Sequence, residues 1–158
     1  MKTNYLFPNR YKNLGWLLFI PGILLGIVFL IYQSDIGLFN IKIFAIAKEQ
    51  IISGTTFFSI SENNVLDELS SILIIIGALL IAFSKEKSED EFISKIRLES
   101  LVWTTYINYV ILILAIIFVY DMTFLWVLVF NMFTLLFFFL VRFNWALYKS
   151  KNQISDEE

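Results

Sequence analysis

At 158 residues the chain has the length of one domain, yet 58% hydrophobic residues against 16% charged, with a mean hydropathy of +0.74, exclude an ordinary soluble one. A net charge of −2 leaves no electrostatic footprint for nucleic acid. Neither Cys nor His occurs, which removes thiolate chemistry, disulfides, and the commonest general base and transition-metal ligand.

The composition therefore reads as a single integral membrane domain over 1–158, all-α, with four transmembrane helices in two hairpins. Met1–Asn13 is basic and aromatic, and Leu14–Tyr32 follows without a charge for nineteen residues, enough to span roughly 30 Å of hydrocarbon. This run is longer than a signal-peptide core and lacks a small-residue cleavage site, so it is predicted to be an uncleaved first span. Pro21 should kink it, and Gly22 and Gly26 form a G-x-x-x-G that suits close helix packing, most simply against a neighbouring span of the same chain, with a helix-dimerisation face as the alternative.

Residues 33–64 form a long connection of mixed character. Phe39–Ala47 and Thr55–Ser61 are β-branched and aromatic with a turn signal at Ser53-Gly54, which predicts a small β-hairpin; an interfacial helix over Ile41–Ile52 is the alternative. Asn64 then reads as a helix cap ahead of Asp67 and Glu68, opening a second span over about 66–83 with a small-residue strip at Gly77, Ala78 and Ala82.

The charged run 84–100 separates the two halves. Ser88 with Glu91 fits a capping box, and no Pro or Gly interrupts the chain from there to Asp121. The spacing predicts one helix from Glu89 to Tyr120 whose first part, 88–100, projects into the cytoplasm with Phe92, Ile93 and Ile96 along one apolar edge. Its remainder is the third span, about 101–120. A reversal at Asp121–Thr123 leads to the fourth span, about 124–143, and a polar, frayed tail over 149–158.

Lys and Arg are grouped three before the first span, two in the 33–64 connection, four in the charged run and three at the C-terminal end. The bias places both termini and the charged run in the cytoplasm and the long connection outside. Trp16, Trp103, Trp126 and Trp145 all fall near predicted membrane interfaces, which agrees with that orientation.

Polar groups inside hydrocarbon are where such a sequence speaks about mechanism. These are Thr104 and Asn108 on the third span and Asn131 and Thr134 on the fourth, and a reversal about Met122 puts Asn108 within about one helical turn of Thr134. The expected consequence is an interhelical hydrogen bond that fixes the hairpin register; a lined polar path is the alternative. No nucleotide-binding, hydrolase or metalloprotease motif is present, so no catalytic, cofactor or metal residue is assigned.

Leu6–Lys12 (LFPNRYK) and Ser88–Ser100 (SEDEFISKIRLES) resemble an uncharacterised family of short bacterial four-span inner-membrane proteins. The resemblance implies a bacterial inner membrane and four spans and brings no known activity. Together these readings predict a non-enzymatic multi-pass protein, embedded in the lipid bilayer, that docks another membrane protein or a second copy through helix 89–100. The alternative is a homo-oligomeric small channel or transporter whose path is lined by the polar residues of spans three and four.

Overall fold

A computed structural model describes residues 5–32, 40–50, 54–87 and 89–155. In chain order the elements are α1 (Arg10–Tyr32), β1 (Asn40–Gln50), β2 (Gly54–Asn64), α2 (Leu66–Ala82), α3 (Glu91–Phe118) and α4 (Asp121–Ser155). The protein is mostly helical, and α1, α3 and α4 are long and apolar enough to cross a membrane. At 17 residues, or about 25 Å, α2 is at the short end of what spans a bilayer. By its contacts the chain divides into two units, Met1–Phe19 with Ile74–Glu158, and Ile20–Leu73.

Within Ile20–Leu73, the 33–64 connection is a hairpin and not an interfacial helix. β1 and β2 pair antiparallel from Asn40 opposite Asn64 to Gln50 opposite Gly54. Each strand has 11 residues, longer than the apolar runs that announce it, because polar ends such as Lys42 opposite Glu62 also pair. The ladder passes over the Ile46/Phe58 position, where Phe58 adopts a φ of 54°, an uncommon conformation for a bulky side chain. The turn residue Ser53 lies outside the described residues. Asn64 caps α2 as its sequence position suggests: its side-chain oxygen accepts from the Leu66 N–H at 3.0 Å, and Asn63 donates to Glu68 at 2.6 Å.

In the other unit, the first turns of α1 meet the last turns of α2 backbone to backbone. A Cβ on Gly77 would lie 2.6 Å from the Phe19 nitrogen, and one on Gly15 would lie 2.9 Å from the Gly77 carbonyl oxygen. The small-residue strip of α2 thus takes Gly15 as its partner, with Ala78, Ile81 and Ala82 buried beside it. Gly22 and Gly26, the expected packing pair, belong to the Ile20–Leu73 unit.

α3 and α4 pack side by side as an antiparallel pair. α3 starts at Glu91 and not Glu89, because Asp90 is the cap: extended at φ −123°, it accepts from the Ile93 N–H at 2.8 Å. Ser88, the expected cap, lies outside the described residues. The reversal sits at Val119–Tyr120 and not at Asp121–Thr123, which form the first turn of α4. A carboxylate suits that position, and Asp121 absorbs the change of direction with a φ of 58°. α4 also runs past the expected end of its span, through Lys149 to Ser155, since no Pro or Gly stops it.

Candidate functional site

Membrane helices bury polar groups and show apolar ones to lipid, and α3 follows that logic along one stripe. Ile93, Arg97, Ser100, Thr104, Asn108 and Ala115 are its buried residues, spaced by three, four or seven. Their apolar neighbours Val102, Tyr106, Val110, Ile113 and Ile117 are exposed. The stripe faces α4, where Asn131 donates to the Asn108 side-chain oxygen at 3.2 Å. Thr134 does not join them and donates to its own Phe130 carbonyl at 2.9 Å. The earlier reversal explains this: starting α4 at Asp121 brings Asn131, not Thr134, level with Asn108. Thr104 is fully buried, yet its hydroxyl has no hydrogen-bond partner among the described residues.

At the Arg97 end, the charged run is helical from Glu91 onward and continuous with the rest of α3, while Ser84, Lys85, Glu86 and Glu89 ahead of it form a knot with the N-terminal segment and Arg97. Phe83–Lys85 lies parallel to Phe7, with the Phe7 N–H donating to the Phe83 carbonyl and the Lys85 N–H to the Phe7 carbonyl, both at 2.9 Å. Asn9 donates to the Lys85 carbonyl, and Lys12 pairs with Glu86. Glu89 then closes the knot. One carboxylate oxygen accepts from Arg97 Nη1 at 2.8 Å; the other accepts from Arg97 Nη2 at 3.1 Å and from the Glu86 N–H at 2.8 Å. Arg97 Nη2 also reaches the Ser84 carbonyl at 3.2 Å.

The floor of this knot is aromatic. Phe83 stacks on Phe139 and Phe139 on Phe143, with centroids 6.0 and 5.6 Å apart and ring planes within 12° of parallel. The Arg97 guanidinium continues the stack 5.0 Å above Phe143. A planar cation that is paired two-fold on one edge and stacked on a ring uses the features that distinguish Arg from Lys. Arg97 was missed by a sequence reading that stopped the polar stripe at Thr104; extending it by two further turns reaches Ser100 and then Arg97.

Two surfaces remain open. On α3 the expected edge is divided: Phe92 is exposed, Ile96 half-buried, and Ile93 turned into the chain's own core. On the hairpin, Phe44 pairs with Ile60, and the Phe44 and Phe58 rings lie 6.1 Å apart, so these residues share a face with Ile46. All four are between 64 and 75% exposed.

Among the described residues no group of three or more carboxylates is placed to hold a metal ion. Glu89 pairs with both terminal nitrogens of Arg97 in the knot, leaving the buried Arg97 Nε without a partner among the described residues, and the Asn108–Asn131 pair serves the helix seam. No protein-family profile, curated protein or solved structure matches the chain.

Proposed function

We propose that the chain is a non-enzymatic four-span protein of a bacterial inner membrane that works by association, its docking surface being the apolar hairpin face of Phe44, Ile46, Phe58 and Ile60. The grouping of Lys and Arg supports cytoplasmic termini and an external hairpin. Phe7 beside Ser84 supports the span count, because a chain that leaves through α1 and is back at its starting level by Ser84 has crossed twice. Arg97 beside Phe143 gives the same argument for α3 and α4.

The observation that carries the reading is the exposure of four large apolar side chains on one face of a two-stranded sheet. An isolated hairpin is marginally stable in water, and a second apolar layer about 10 Å away stabilises such a face. A second copy is the occupant that fits best. Lys42 and Glu62 lie across from each other on this face with opposite charge, so a two-fold arrangement places each against its complement in the other copy. The Phe58 backbone, held at positive φ with its ring in the open, is strain that an assembly would offset. The α3 edge, reduced to Phe92 and a half-buried Ile96, offers less.

The absence of Cys makes the test direct, since a single introduced thiol is unique. Ile60→Cys should form a cross-linked dimer in native membranes, while Asn63→Cys on the opposite face should not. Absence of cross-linking from both Ile60→Cys and Phe44→Cys, with a single-subunit mass in lipid nanodiscs, overturns the reading.

A further inference from the structure

Two arginines lie in the α3–α4 pair, and the protein treats them oppositely. Arg97 has a carboxylate bound to two of its nitrogens. Arg142 has none: among the described residues no carboxylate lies within ion-pair distance of it, and its Nε, like that of Arg97, is buried without a hydrogen-bond partner. What surrounds it is aromatic. Its guanidinium carbon is 5.4 Å from the centroid of Trp103 on α3 and 5.1 Å from that of Trp145 on α4, and Lys149 approaches the same Trp145 ring to 5.8 Å.

A partly buried cation without a counter-charge is costly, and ring faces compensate only part of that cost. The missing partner is an anion. Its location narrows what kind: α4 carries no charge from Met122 to Val141, so Arg142 is the first cation past the apolar segment, where phosphate groups of a bilayer begin. Indoles prefer the same level. A guanidinium fork matches two oxygens of one phosphate, whereas the ammonium of Lys149 adds a point charge two helical turns further out.

We propose that Arg142 and Lys149, set against Trp103 and Trp145, form a headgroup site for an anionic phospholipid, with Arg142 holding the phosphate. This rests on the reading of α4 as a membrane span, and not on the hairpin as a docking surface.

The test uses full-length protein carrying Trp16→Phe and Trp126→Phe, so that Trp103 and Trp145 alone report, reconstituted into phosphatidylcholine. Fluorescence quenching is compared between chain-brominated phosphatidylglycerol and chain-brominated phosphatidylcholine. A cation near the surface favours an anionic lipid by roughly five-fold, so the anionic lipid should quench at several-fold lower mole fraction. Arg142→Gln with Lys149→Gln should bring the two lipids level, and Arg142→Lys, which keeps the charge and loses the fork, should retain an intermediate preference. Because Arg142→Gln can perturb folding, its circular dichroism and elution volume must match the parent; Lys149→Gln alone, outside the helix seam, should lower the preference on its own.

Equal quenching of the parent by both lipids overturns the headgroup site while leaving the membrane reading intact. Quenching by neither lipid overturns both. Loss of the preference on adding excess inorganic phosphate assigns the site to a soluble phosphate and overturns the lipid.

Discussion

Replacing Arg97 with Met keeps most of the side-chain length and its packing on Phe143 but removes the charge. It deletes two charge-assisted hydrogen bonds to Glu89 and one to the Ser84 carbonyl. Glu89, whose side chain is 14% exposed, then keeps only the Glu86 N–H. Removing one partner of a buried pair costs about 3–5 kcal/mol, and the remaining exposure of Glu89 argues for the lower end, about 3 kcal/mol. Glu89→Gln preserves the shape and leaves Arg97 uncompensated, for about 2 kcal/mol. The double variant should be about 2 kcal/mol more stable than the sum of the singles implies, because the second change removes the charge orphaned by the first. Unfolding of the purified protein in mixed micelles, followed by Trp fluorescence, measures all three. Additivity within about 0.5 kcal/mol, or a cost below about 1 kcal/mol for Arg97→Met, refutes the knot as a coupled unit.

Further outcomes follow from the helix contacts. Gly77→Ala should destabilise by up to about 3 kcal/mol in the same assay, because the new Cβ meets Phe19 backbone atoms that cannot rotate away. Thr104→Val should be neutral or stabilising by up to about 1 kcal/mol, since it removes a buried hydroxyl without a partner. Asn108→Leu should cost about 0.6–2 kcal/mol, and Asn131→Leu made in its presence much less, as expected of one shared hydrogen bond.

The sequence announced most of the secondary structure for simple reasons. Long uncharged runs permit little but helix, and β-branched alternation around Ser53-Gly54 permits a hairpin. Where the reading went astray, a competing local effect decided. Asp90 and Asp121 both make good helix starts, and at each the helix begins in their favour, two residues later than expected for α3 and three earlier for α4. The second shift moved the register of the α3–α4 pair and exchanged Thr134 for Asn131 as the partner of Asn108.

The knot was less legible. Charged residues 84–99 look like a solvated stretch because sequence spacing does not show that Glu89 and Arg97, eight apart across a helix start, face each other. Nor does spacing show that Phe7 lies beside Ser84, a contact 77 residues distant. Gly15 gave no signal either, sitting in no G-x-x-x-G; its role exists only because Gly77 lies opposite.

The proposed topology has α1 and α2 crossing the membrane in opposite directions, with the hairpin on the side away from the termini. Single-thiol labelling of intact cells with a membrane-impermeant maleimide tests it most directly, using Glu62→Cys on the hairpin and Lys87→Cys in the knot. Glu62→Cys should react from outside, and Lys87→Cys only after permeabilisation. Labelling of both from the same side would contradict it.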